Sequence, residues 1–190
     1  MTPEYAMQLA WLVWVISWFA AAAWSDRAAK RPPVAREIVY RVVTAAGAAL
    51  LFKVYPQRLH ADSMLWRIGR RAGWLAVAAA VLGFAFAWWA RIHLGRLWSG
   101  SVGRKAAHHI VDSGPYALVR HPIYTGLILS AGATAAMYGT ALACVGAAMM
   151  TFGWYIKAHL EEEFLREQLG AGEYDAYARR VPMLVPFVHG

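Results

Sequence analysis

A chain of 190 residues that is 59% hydrophobic and only 16% charged lacks the charged quarter of an ordinary soluble domain, and its composition excludes a disordered or fibrous polypeptide. Its formal net charge of +8 comes from cations that flank apolar runs and do not gather on one polar face, so anionic headgroups, not nucleic acid, are the expected counter-charge. A single cysteine, Cys144, excludes a disulfide framework and a thiolate-rich metal centre, and leaves the redox compartment open.

The chain opens on Met1, Thr2, Pro3 and Glu4, with no Lys or Arg before Arg27, unlike a cleavable signal peptide with a basic n-region. Residues 5–24 then run for twenty positions without charge, roughly 30 Å as a helix, which matches the hydrocarbon thickness of a bilayer. Residues 38–55 form a second span, with Arg41 and Lys53 close enough to its ends to snorkel and Pro56 closing it. Residues 72–90 form a third that ends on the interfacial pair Trp88 and Trp89. From Pro122 to Ile156 no residue is charged; one crossing cannot use a run of about 52 Å, so the chain must fold back. The turn is expected at Tyr138-Gly139-Thr140. Gly126, Ser130, Thr134, Ala143 and Ala147 are spaced as small residues that let two helices of such a hairpin approach closely.

The expected fold class is therefore all-α, a polytopic membrane bundle of about five transmembrane helices. Residues 1–90 form an N-terminal three-helix membrane region, and 91–190 hold the hairpin and the polar segments. Residues 25–37, 91–120 and 157–190 carry thirteen Lys and Arg, against five in residues 53–71, which favours an N-terminus outside. The basic 53–71 loop violates that rule locally.

Chemistry is confined to the two polar segments on one expected side, 91–120 and 157–190. The first holds Lys105, His108, His109 and Asp112 before GPYALVRHPIYTG. Adjacent histidines do not face the same way on a helix, and no HExxH completes a set, so no metal is expected. There is no GxGxxG after a strand, no P-loop and no GxSxG. Arg120 and His121 precede Pro122, a residue suited to the first turn of a helix. That helix start offers N–H groups and partial positive charge to a carboxylate; alternatively, the pair anchors the helix to headgroups. In the second segment Lys157 and Glu161 share a helix face, with Glu162 and Glu163 beside them. Three crowded carboxylates call for a cationic partner, or else form a solvated helix continuation.

HHIVDSGPYALVRHPIYTG (108–126) and, after the hairpin, EEEFLREQLGAGEYDAYARRVPMLVP (161–186) together resemble the isoprenylcysteine carboxyl methyltransferase family. This family of membrane enzymes has bacterial relatives, some like phospholipid N-methyltransferases. The resemblance covers about residues 91–190. It implies S-adenosylmethionine as cofactor and S-adenosylhomocysteine as product, bound on the cytosolic side. The cofactor would be held by His108, His109, Ile110, Val111, Tyr116, His121, Pro122, Ile123, Tyr124, Glu161 and Glu162. It also implies catalytic roles for Arg120, Lys157 and Glu161, with Lys157 on the substrate carboxylate.

Two departures bear on the substrate. Lys157 stands where the eukaryotic members place an arginine, keeping the charge and losing the bidentate fork. Gly170-Ala171-Gly172-Glu173-Tyr174 is one residue longer than the family spacing and could displace the C-terminal tyrosines. A carboxylate acceptor needs no general base, which favours a lipophilic, prenylcysteine-like acid among membrane lipids and, if the host is bacterial, an inner-membrane location with a cytoplasmic site. The alternatives are a phospholipid N-methyltransferase, a small-thiol S-methyltransferase, an NADPH-dependent membrane reductase of related architecture, and a non-enzymatic membrane subunit.

Overall fold

The computed structural model describes residues 1–21, 34–52, 64–95, 110–169 and 171–188. His108 and His109, like Lys53, Pro56 and Lys105, lie outside the described residues. Among the described residues six helices follow in order: α1 (Pro3–Ala20), α2 (Val34–Leu51), α3 (Arg70–Leu94), α4 (Pro122–Tyr138), α5 (Ala141–Leu169) and α6 (Ala171–Arg180), with a 3-10 turn at Gly114–Ala117. Among the described residues there is no strand, only an isolated bridge between Met64 and Thr140.

Local chemistry sets the boundaries. The Thr2 hydroxyl accepts the Tyr5 N–H at 3.3 Å, and Pro3 opens α1 where a missing donor costs nothing. Pro122 opens α4 in the same way. α4 stops where Gly139 takes the left-handed conformation, φ 64°, that a side chain disfavours. The hairpin thus turns at the glycine identified from the sequence. Its carbonyl accepts the Leu65 N–H at 2.8 Å, and the Trp66 indole donates to the Ala136 carbonyl at 2.8 Å, covering the turn.

The small residues do not serve mainly to join α4 to α5, as the sequence spacing suggested. Gly126 meets α3: a Cβ there would strike the Gly83 carbonyl, and the Ser130 hydroxyl donates to the Ala80 carbonyl at 2.9 Å. Gly146 of α5 meets α2, where an added Cβ would fall 2.5 Å from the Leu51 nitrogen. The closest approaches are therefore α3 on α4 and α2 on α5. A helix has several faces, and a small-residue stripe states that a partner comes close without saying which one. Thr134 faces α1, where its hydroxyl accepts the buried Trp11 indole N–H at 2.9 Å. Leaving that indole unpaired would cost about 1–3 kcal/mol.

Successive helices alternate in direction. Gly73 of α3 lies against Pro3 at the start of α1, and Arg91 near the end of α3 donates to the Ala21 carbonyl at the end of α1. Between them, Met7, Trp11, Leu51, Phe84, Leu127 and Trp154 belong to one buried apolar cluster.

Among the described residues two helices, α3 and residues Ala141–Glu167 of α5, are long and apolar enough to cross a membrane by length and composition. α1, α2 and α4 have 18, 18 and 17 residues, about 26 Å each. α1 is shorter than the uncharged run 5–24, α2 equals the expected span 38–55 in length but is set four residues earlier and carries Glu37 and Arg41, and the run 122–156 is shared between α4 and α5. Leu12, Val13, Ile16 and Phe19 on α1, and Val39 and Val42 on α2, are exposed. Alternation brings the start of α2, the start of α4, the end of α5 and all of α6 to one end of the bundle.

Candidate active site

At that end the tail after α6 runs beside the start of α4. The backbone N–H groups of Arg120 and His121 donate to the carbonyls of Pro182 and Met183 at 2.8 and 3.1 Å. One turn on, the Thr125 hydroxyl donates to the Leu184 carbonyl at 2.6 Å. Arg120 then ties three segments together. Its guanidinium donates to both carboxylate oxygens of Glu162, at 2.7 and 3.2 Å, and to the carbonyls of Ala178 and Val181, at 2.9 and 2.7 Å. Such a bidentate fork is specific to arginine.

His121 is buried between the two acids of α5. Its Nε2 lies 3.0 Å from Glu162 Oε1 and its Nδ1 3.5 Å from Glu161 Oε2. Burial works against the imidazolium, but the hydrogen bonds and charges of Glu161 and Glu162 outweigh it and hold His121 above the ordinary histidine value. A raised folded pKa means that the stabilisation is complete below about pH 6.5 and is lost as pH rises through the folded value. The melting temperature of the detergent-purified protein is therefore expected to fall as pH is raised above about 6.5. His121→Gln should flatten that slope in a pH series of thermal melts; an unchanged slope would assign it to other groups.

The second acid completes the site. The Tyr124 hydroxyl donates to Glu161 Oε1 at 2.7 Å, and Lys157 Nζ lies 3.9 Å from the same oxygen. Lys157 also sits over two rings, 5.4 Å from the Tyr124 centroid and 5.6 Å from that of Tyr40 on α2. The Tyr124 and His121 rings stack with centroids 5.6 Å apart. Of the three adjacent carboxylates only Glu161 and Glu162 turn inward; Glu163 is exposed.

The remaining expected residues frame this centre. Tyr116 is buried on the 3-10 turn; its carbonyl accepts the Tyr177 hydroxyl at 2.7 Å, and burial pushes its own phenol pKa up. Ile110 packs on Tyr174, Tyr177 and Val181, while Val111 is half-buried. Pro122 is buried and Ile123 packs on the main core. The extra residue before Tyr174 does not displace the tyrosines outward: α6 begins at Ala171 and turns both Tyr174 and Tyr177 into the protein.

Tyr40, Tyr177 and the carbonyls of the tail were not foreseen as parts of the site. For Tyr40 the signal was present: Glu37, Tyr40 and Arg41 lie one turn apart in an otherwise apolar run. Backbone carbonyls leave no signal in a sequence. Among the described residues no cluster of three or more His, Cys, Asp or Glu suits a metal ion.

The fold and site thus define a helical bundle whose buried charged groups gather at one end, with two acids of α5 faced by the start of α4. Residues 74–167, just under half of the chain, match the model of the isoprenylcysteine carboxyl methyltransferase (ICMT) family. It is similar to protein-S-isoprenylcysteine O-methyltransferase B of Arabidopsis thaliana, 30% identical over 88 residues, covering 46% of this chain and 45% of the relative. A probable protein-S-isoprenylcysteine O-methyltransferase of Oryza sativa subsp. indica is 32% identical over 81 residues, 43% of this chain and 42% of the relative. The methanethiol S-methyltransferase of Pseudomonas sp. (strain GM41(2012)) is 44% identical over 71 residues, 37% of this chain and 26% of the relative. The chain matches less than half the length of each of these relatives.

Proposed function

We propose that this protein is an integral membrane, S-adenosylmethionine-dependent methyltransferase acting on a lipophilic acceptor, with the carboxylate of a prenylcysteine-like molecule as the favoured nucleophile. The observation that carries this reading is the Tyr124–Glu161 hydrogen bond of 2.7 Å. It joins, across 37 residues of chain, the two motifs that resemble the family's cofactor-binding halves. Five crossings fit the alternating helices and their exposed apolar side chains, with the polar end on the cytoplasmic side as the count of basic residues favours.

The residues present suit the cofactor. Glu161 is an anion in a largely enclosed place, its side chain 22% exposed, with the Tyr124 hydroxyl on one oxygen and His121 Nδ1 3.5 Å from the other, and its negative charge favours an ammonium or sulfonium group. The cofactor supplies an activated methyl group bonded to a positive sulfur. Glu161 would face that positive region, Tyr116 and Tyr124 would flank the adenosyl group, and Glu162, braced by Arg120, would keep His121 in place. His108, His109, Ile110 and Val111 belong to the same proposed set.

Arg120 acts in this scheme as a brace, since its donors are directed to Glu162 and the tail. Lys157 is left to hold the acceptor carboxylate, which is nucleophilic at neutral pH and requires no base; alignment and exclusion of water do the rest. Lys157→Met should raise KM for a carboxylate acceptor about tenfold, the scale of one charge-assisted hydrogen bond, and leave cofactor affinity nearly intact. An equal loss of both would make Lys157 structural.

A thiol acceptor is the second reading, favoured by the 44% identity to the bacterial methanethiol enzyme. Transfer of tritiated methyl to farnesylcysteine analogues, phosphatidylethanolamine and small thiols separates the acceptors. Calorimetric titration with S-adenosylhomocysteine and with NADPH tests the cofactor, and a folded protein that ignores the former overturns the proposal.

A further inference from the structure

His121 is 6% exposed, and each of its ring nitrogens faces a carboxylate of α5: Nε2 lies 3.0 Å from Glu162 Oε1 and Nδ1 3.5 Å from Glu161 Oε2. An ionised carboxylate only accepts, and a neutral imidazole has a single N–H, so the imidazolium alone offers a donor to both acids. Glu161 thus already meets three partners: the His121 ring, the Tyr124 hydroxyl at 2.7 Å and Lys157 Nζ at 3.9 Å. The other charged or titratable groups that act on the two acids are Arg120 beside Glu162, Tyr116 on the 3-10 turn, Tyr174 and Tyr177 on α6, and Tyr40 on α2. Of all these side chains only histidine has an ordinary value near neutrality.

S-adenosylmethionine and S-adenosylhomocysteine differ by one methyl group and one positive charge, and Glu161 is the anion proposed to meet that charge. A cation in contact with either oxygen of Glu161 lies within about 9 Å of His121 Nδ1, from the 3.5 Å gap, the width of the carboxylate and one charge-assisted contact. Two like charges at that separation, with an effective dielectric constant of about 20, weaken each other's binding about twentyfold. The imidazolium and the sulfonium therefore oppose one another across the same carboxylate. From this arrangement we infer that His121, acting through Glu161, is a specificity-determining residue that tells the methyl-bearing cofactor from its product. The ring releases its proton to water when the sulfonium docks. Once the S–CH3 bond has broken, with its electron pair left on sulfur and the methyl group on the acceptor, His121 regains a proton from water. By linkage the preference follows pH: acid favours the product, which tolerates the imidazolium, and a rise in pH through the folded histidine value favours the methyl donor. Burial opposes the imidazolium, but the two acids outweigh it and set that value above the ordinary 6.5. The inference rests on the proposed cofactor site at Glu161 and adds how that site lets go of its product.

The test is calorimetric titration of the full chain in detergent with each ligand between about pH 6.5 and 8.5, without acceptor, in two buffers of different ionisation enthalpy, which counts the protons released. In wild type the affinity for S-adenosylmethionine relative to S-adenosylhomocysteine should rise about tenfold across this range, and the former should release more protons. His121→Gln, which keeps one donor and carries no charge, should lose most of that rise and the difference in protons. The ligands' own amino groups titrate alike against both proteins and cancel from the comparison. Should the variant fail to fold, wild type labelled with 13C-histidine reads the same proton. One ring should move to the neutral position on binding S-adenosylmethionine and stay at the imidazolium position with S-adenosylhomocysteine. A ratio and proton count that follow pH identically in wild type and variant, or a labelled ring in the same state in both complexes, would overturn the inference and leave the cofactor site standing. A folded wild type that binds neither ligand would overturn the cofactor site, and the role of His121 with it.

Discussion

Arg120→Met is expected to destabilise the protein by about 3–5 kcal/mol, the cost of breaking a buried ion pair by removing one partner. The side chains of Arg120 and Glu162 are 12% and 10% exposed, so little water is available to replace the lost bonds. Without the guanidinium, Glu162 keeps His121 but loses its bidentate partner, and the carbonyls of Ala178 and Val181 lose their donor. The tail should therefore loosen together with the acid. Thermal unfolding followed by circular dichroism in detergent measures the loss, and limited trypsin digestion at the exposed Arg179 and Arg180 reports release of α6. The double variant Arg120→Met with Glu162→Leu should recover part of the stability, since Glu162 is no longer left without its guanidinium, while His121 then keeps only Glu161. A single variant as stable as wild type would show that the brace contributes little.

The helical runs were legible because a bilayer imposes its thickness on the sequence. Thirty-five residues without charge can only fold back, and Gly139 was the natural residue to take a left-handed turn. The same argument did not fix the ends, since absence of charge marks apolar chain and not helix: α1 ends at Ala20, inside the expected run 5–24, whereas α3 extends over Arg70–Leu94, beyond the expected 72–90 at both ends. Helix pairing was not legible. Gly126 and Gly146 signalled close approach, yet only the fold shows that Gly83 and the α2 backbone around Gly47 and Leu51 are what they approach.

Within the site, legibility followed side-chain chemistry. His121, Tyr124, Glu161 and Glu162 carry charge or polar groups at membrane ends, where such groups need a reason, and they converge. Tyr40 was passed over because tyrosine is unremarkable near an interface and α2 lies outside the region that resembles the family. Arg120 was identified, but as a group turned towards a ligand; its donors face the protein because the carbonyls after α6 require a partner, and no pattern of residues announces that need.

Glu161→Gln is expected to weaken cofactor binding at least tenfold and up to about a hundredfold, or 1.4 to 2.7 kcal/mol. Glutamine matches the volume of glutamate and can still accept the Tyr124 hydroxyl at the position now 2.7 Å away, so the change isolates the charge. At 4 Å and an effective dielectric constant of 20 one charge pair is worth about 4 kcal/mol before desolvation is subtracted, which leaves room for an effect of this size. Two ligands then locate the cation that Glu161 meets. S-adenosylmethionine carries a sulfonium and an ammonium, whereas S-adenosylhomocysteine keeps only the ammonium. A loss confined to the former would place Glu161 against the sulfonium; an equal loss for both would place it against the amino acid end. Calorimetric titration of the folded variant with each ligand decides. Unchanged affinity for both, with the melting transition intact, would remove Glu161 from the cofactor site.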